Sequence, residues 1–290
     1  MINRKKCLIC KDGRKNDCLH WHKDPDTGDI WVWCQGKCQR GYSVRTYCHM
    51  AKISLPEFLK GDWEFKEAPP NELTPHEFPK RFIPMSDPRS EQGREYIKSR
   101  GLTLEGDMYY DIEREGIVFP YYFDNHFCGA QTRFIVPKIH SDGEVQKMDT
   151  LPGTRLGLLF YGWNQSRFIG NVKAVVVTEG SFNALAINQA FNLAAGGISH
   201  NTWRAISCSG AGATKHHQEA LKELKDQGLK IVIAPDFDDA GMKMLKKFRE
   251  SGAATHYTLT DRTEDWNDCL KEMTHLEFAK FFLKQVKKIT

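Results

Sequence analysis

Lys230-Ile-Val-Ile-Ala-Pro-Asp236-Phe-Asp238-Asp239-Ala-Gly241 decides the fold. It opens as an unbroken apolar run, ends in acids, and passes through a glycine into a segment with helical spacing. A run without polar alternation suits a strand covered on both faces. Val175-Val-Val-Thr-Glu179-Gly180, upstream, repeats the pattern: apolar strand, acid, glycine, helix. Working outward, strands are expected over Val172–Thr178, Arg204–Ser209, Lys230–Pro235 and Ala254–Leu259. Helices are expected over Ser181–Ala190, Thr214–Gln227 and Ala240–Ser251, the last two stopped by Gly228 and Gly252. Such alternation predicts an α/β domain, a mostly parallel sheet with helical crossovers.

In a parallel sheet Glu179, Asp236 and Asp238 emerge at the C-terminal edge, where open α/β sheets place ligands. Asp236 and Asp238 alternate, so they share one side of an extended segment. Clustered carboxylates repel and need a cation or a proton to coexist. Hard oxygen donors suit Mg²⁺ or Mn²⁺, and the matching chemistry is phosphoryl or nucleotidyl transfer. Asp265, in Asp265-Trp-Asn-Asp268, is either a further ligand of that ion or the N-cap of the next helix.

The N-terminal third reads differently. Cys7-x-x-Cys10 and Cys34-x-x-x-Cys38 are two cysteine pairs able to place four thiolates on one structural zinc. Cys18, His20 and His22 lie between them as competing ligands. Residues 1–55 are therefore expected to form a zinc ribbon of β structure, with a closing helix over Lys52–Leu59. Residues 56–89 are expected to be a linker, because Glu64 to Arg89 holds six prolines and shows no periodicity; the other reading is a proline-rich strap packed on a domain surface. Glu91–Arg100 reads as a helix stopped by Gly101. Gly116-Ile-Val-Phe-Pro-Tyr-Tyr-Phe123 and Phe127-Cys-Gly-Ala-Gln-Thr-Arg-Phe-Ile-Val136, joined by Asp124-Asn-His126, read as a β-hairpin.

Bulk properties exclude more than they assign. The 290 residues are 40% hydrophobic and 27% charged, a globular composition. A net charge of +4 is compatible with nucleic acid but does not argue for it. No apolar run is long enough to span a membrane, and Met1-Ile-Asn-Arg-Lys-Lys6 is not a secretory signal. Nine cysteines without such a signal point to a reducing, cytoplasmic setting and to metal binding.

Glu179-Gly-x-x-x-Ala184-Leu-Ala followed by Asp236-x-Asp238-x-Ala-Gly241 resembles the TOPRIM fold of primases, topoisomerases, RecR-like recombination mediators and some nucleases. Arg94-Glu-Tyr-Ile-Lys-Ser-Arg-Gly101, the hairpin through Gly129-Ala-Gln-Thr-Arg133, Lys147, Leu151-Pro-Gly-Thr-Arg155 and Asp265-Trp-Asn-Asp268 extend the likeness to DnaG-type primases, closest to the primase half of bacteriophage primase–helicases. That resemblance implies a small α+β basic subdomain over 90–165, a TOPRIM catalytic domain over 166–270 and a C-terminal helix over 271–290. It implies synthesis of RNA primers from ribonucleoside triphosphates on single-stranded DNA. Asp236 and Asp238 would hold the metals, Glu179 would activate a 3′-hydroxyl or bridge to a metal, and Arg133, Lys147 and Arg155 would meet triphosphate and template. Trp21, Trp31, Trp33 and Tyr42 would offer stacking or packing surfaces in the ribbon. Without a Walker A motif in the chain, a replicative helicase is expected as a separate partner, in a bacterial cell and possibly from a phage or mobile element. The alternatives are a TOPRIM nuclease and a RecR-like DNA-binding mediator; the segment from Glu91 to Gly162 speaks against the mediator.

Overall fold

The computed structural model describes residues 9, 19–23, 30–34, 40–54, 73, 75–104, 106–140, 143, 145–163, 172–194, 202–210, 212–260 and 265–289. The chain divides into two compact units, Met1–Glu72 and Leu73–Thr290.

The first unit holds a three-stranded antiparallel sheet, β1 (Leu19–Lys23), β2 (Ile30–Cys34) and β3 (Arg40–Ser43), in that order. A short helix, α1 (Val44–Met50), follows, with Ser43 accepting from Thr46 N as its N-cap. Val32, Tyr47 and Cys48 are buried. The helix ends where Lys52 takes a left-handed φ of 55° and Ile53 N closes on Cys48 O; of the closing helix expected over Lys52–Leu59, residues 55–59 lie outside the described residues. The expected zinc ligands Cys7, Cys10 and Cys38 lie outside the described residues; Cys34 is the last backbone position of β2.

The second unit begins inside the stretch expected to be a linker. From residue 75 onward that stretch is packed as a strap. The Phe78 ring meets Phe82, Tyr109 and Phe127 edge-on at 5.7, 4.8 and 4.9 Å. His76 N donates to Phe127 O, and Arg81 bonds the buried Asp111 at 3.0 Å. Prolines at 79, 84 and 88 do not prevent this, because the segment supplies only β4 (Phe82–Pro84), an edge strand, where a missing donor costs little. The antiparallel sheet then runs in sequence order: β4, β5 (Tyr109–Asp111), β6 (Gly116–Phe123), β7 (His126–Ile139) and β8 (Val145–Thr150). The expected hairpin is β6–β7, turned by Asp124 and Asn125 with left-handed φ of 49° and 62°. Helix α2 (Glu91–Ser99) precedes it.

The second sheet has the order β10 (Trp203–Ser207), β9 (Ala174–Thr178), β11 (Lys230–Ala234), β12 (His256–Tyr257), β13 (Lys287–Lys288). The first four strands are parallel and β13 is antiparallel. Its helices are α3 (Ser181–Leu193), α4 (Lys215–Asp226), α5 (Asp239–Glu250), α6 (Trp266–Lys271) and α7 (His275–Gln285). The expected C-terminal helix is α7, begun by a Thr274–Glu277 capping box and followed by β13. The fold is mixed α/β. One core runs through both halves: Ile83, Phe119 and Tyr121 from the antiparallel sheet cluster with Val176, Ala186 and Trp266. The segments over 90–165 and 166–270 share this interior. Among the described residues no helix is long and apolar enough to cross a membrane.

Candidate active site

β9 and β11 lie side by side with Thr178 opposite Ala234. From β9 the chain moves to β10 on one flank and returns to β11 on the other. The crevice beyond the C-terminal ends of β9 and β11 is thus the point where strand order reverses, the usual ligand position in open α/β sheets. Glu179 leaves β9 directly into this crevice, and Asp236 follows β11 by two residues.

Local packing explains the spacing of the acids. Asp238 Oδ1 accepts from Gly241 N at 2.8 Å, making Asp238 the N-cap of α5. The Asp236 carbonyl lies where a side chain at 241 would sit, so only glycine lets the acidic loop fold onto the first turn. On the other strand, Ser207 Oγ and Gly210 N both donate to Glu179 O, at 2.9 and 3.2 Å. Ser209 between them has a left-handed φ of 53°, backbone strain held at the rim of the site.

A cavity of about 660 Å³ opens here. Glu179, Asp236, Asp265 and Asp268 line it, and so do Arg100, Arg133 and Lys147, from α2's end, β7 and β8. Asp238 is exposed and outside the lining, but its charge reaches Glu179 and Asp236. Arg155 precedes the lining residue Leu156 and is not itself part of the lining. Asp265 is the N-cap of α6, its Oδ1 accepting from Asp268 N at 2.8 Å, and it also lines the cavity.

The acidic side chains carry unrelieved charge. Burial pushes the Asp236 carboxyl up to about 7, with Glu179, Asp265 and Asp238 adding to the rise and the Asn183 hydrogen bond opposing it. Burial, then Asp238, raises Glu179 as well, and Glu179 Oε2 is buried with no hydrogen-bond partner. These features fit a divalent cation, which would relieve the repulsion and take up the orphaned oxygen. As the side chains stand, no three His, Cys, Asp or Glu among the described residues converge closely enough to hold an ion. The lining is cationic as well as acidic. Arg133 Nε is buried without a hydrogen-bond partner. The Tyr96 phenol is lowered, because Arg100 and Arg133 together outweigh the effect of its burial.

Three residues here were not legible as site residues in the sequence. Asn183, Asn267 and Arg100 form a bonded chain behind Asp236. Asn183 occupies an unspecified position of the Glu179-Gly-x-x-x-Ala184 pattern, and Arg100 ends the helix already singled out; neither spacing announced a role.

Residues 176–270 match a protein-family model described as Toprim-like. This segment is a Toprim-like domain. No curated protein matches the chain. Among solved structures, the chain resembles the DnaG primase catalytic domain bound to ssDNA, at 15% identity over 71% of this chain and 75% of that one, with a TM-score of 0.51. It resembles the RNA polymerase domain of Mycobacterium tuberculosis primase DnaG, in complex with a double-stranded DNA oligomer with a 6-nucleotide overhang, at 14% identity over 70% and 76%, with a TM-score of 0.53. It also resembles the zinc-binding and RNA polymerase domains of Aquifex aeolicus primase, at 15% identity over 94% and 80%, again with a TM-score of 0.53. At such identities the likeness is one of fold alone.

Proposed function

We propose that the protein is a DNA primase, a nucleotidyltransferase that copies single-stranded DNA into short RNA primers. The observation that carries this reading is one cavity lined both by carboxylates at the strand-order reversal and by Arg133 and Lys147 from the antiparallel sheet. A nucleoside triphosphate with its divalent ion needs that pairing: carboxylates for the cation, guanidinium and ammonium groups for phosphate oxygens.

In this mechanism Asp236 and Asp238, with Asp265 beside them, hold Mg²⁺ or Mn²⁺. The bound ions supply charge neutralisation for the attacking and leaving oxygens. Glu179 receives or orients the 3′-hydroxyl proton, a role suited to a half-buried carboxyl of raised pKa. Arg133 and Lys147 fix the triphosphate and template, with Arg155 contributing from just outside the lining. Cys7, Cys10, Cys34 and Cys38 hold a structural zinc in a ribbon that presents template. A separate replicative helicase delivers single strands to it in the cytoplasm of a bacterial cell.

Incubation with random-sequence single-stranded DNA, labelled ribonucleotides and Mg²⁺ or Mn²⁺ tests the reading. Short RNA products that disappear in Glu179→Gln are expected. DNA degradation without RNA products would replace the primase with a Toprim-type nuclease.

A further inference from the structure

We propose that Asn183 is a positioning residue for Asp236, locked in place by Asn267 and the end of α2. The inference depends on the proposed function only in taking Asp236 as a cation-binding acid.

Asn183 lies in the first turn of α3 and is 3% exposed. A buried amide must satisfy both of its ends. Its Nδ2 donates to Asp236 Oδ1 at 2.7 Å, and its Oδ1 accepts from Asn267 N at 3.0 Å. The second bond fixes the orientation. A backbone N–H can meet only the oxygen of the amide, so the nitrogen must face Asp236. Asn267 is fully buried and is held in turn. Its Nδ2 donates to Arg100 O at 2.9 Å, and its Oδ1 accepts from Arg100 Nη1 at 3.3 Å. The Arg100 guanidinium rests 5.0 Å from the centre of the Phe182 ring. The bonds thus run without a gap from the end of α2, through α6 and α3, to the acid.

This arrangement suits an amide of asparagine's length and no charged side chain. A carboxylate at 183 would set an oxygen against Asp236, beside Glu179, Asp238 and Asp265. An apolar residue would leave Asp236 Oδ1 and Asn267 N without these partners. The amide steadies Asp236 without adding charge and ties its direction to the seating of α2 against the Toprim-like domain. A carboxylate so held presents a cation with a ligand already oriented, and losing such a partner weakens metal binding roughly 10–100-fold.

The test is a calorimetric titration of Mn²⁺ alone into the full chain, without nucleotide or DNA. It compares the unsubstituted protein with Asp236→Asn, Asn183→Ala and Asn183→Leu; leucine fills the buried position should alanine fail to fold. Far-UV circular dichroism checks folding. The expected result is Mn²⁺ binding that Asp236→Asn removes and that both Asn183 variants weaken by at least about ten-fold while remaining folded. Folded Asn183 variants that bind Mn²⁺ as tightly as the unsubstituted protein would overturn the inference. So would failure of both to fold, which would make Asn183 a packing residue, or an absence of Mn²⁺ binding that depends on Asp236. Because no nucleotide is present, primer synthesis can fail while the Asn183 effect stands. Equally, an unchanged Mn²⁺ affinity would leave the primase reading intact.

Discussion

At the scale of single residues, the two acids of the loop after β11 have opposite relations to stability. Asp236 is held among like charges, so Asp236→Asn should raise the melting temperature of the metal-free protein at pH 8, by a few degrees for each ~1 kcal/mol of repulsion relieved. Asp238 caps α5, so Asp238→Ala should cost about 1 kcal/mol while Asp238→Asn, itself a good cap, should cost far less. Urea denaturation of the three variants separates the roles. Gly241→Ala would force a methyl group into the Asp236 carbonyl and should destabilise by about 1–3 kcal/mol. Much of this was legible in advance, because an apolar run, an acid and a glycine each leave a local mark at fixed offsets. The Asn183–Asn267–Arg100 chain was not. Its bonds join positions 84 and 167 residues apart, and a buried amide has no periodicity to betray it.

At the scale of elements, α4 is docked through a histidine. His217 is fully buried; its Nδ1 lies 2.9 Å from Gly212 O and its Nε2 2.9 Å from Leu159 O, with the ring against Phe160. Burial lowers its pKa, although the carbonyls of Gly212 and Leu159 oppose the shift. The folded state therefore favours neutral imidazole. Above the unfolded value of about 6.5 both states are neutral and stability is at its full level. Below it the unfolded chain binds the proton first, and stability falls until the folded pKa is passed. Between pH 7.5 and 5.5 the contribution of His217 should fall, with a slope of at most about 1.4 kcal/mol per pH unit, while Asp236, which the folded state protonates first, contributes the opposite slope; as pH drops, the urea midpoint of His217→Asn should therefore move upward relative to that of the unsubstituted protein. Element boundaries followed the sequence where a cap or glycine marks them, as at Thr214 and Gly228. The strand expected over Ala254–Leu259 shrank to β12, His256–Tyr257. Its extent depends on where β11 and β13 offer partners, and local pattern does not encode that.

At the scale of the whole molecule, proline content concealed that the second unit starts near Leu73. Phe78, Phe82 and Ile83 sit in aromatic and apolar clusters that only the assembled sheet creates. A chain beginning at Leu73 should fold, with a cooperative thermal transition. One beginning at Ser90 loses β4, the Arg81–Asp111 pair and these side chains, and should be less stable by on the order of 5 kcal/mol. Differential scanning calorimetry of the two truncations checks this, and equal transitions would restore the linker.

The interior shared by the antiparallel sheet and the Toprim-like domain has a consequence for how the protein can be divided. Two polypeptides, residues 73–163 and 172–290, would each expose the apolar face that the other covers. Expressed alone, each should be sticky and poorly ordered; expressed together, they should find one another and rebuild the cavity as a split protein. Reassembly would then be the event that completes the candidate site.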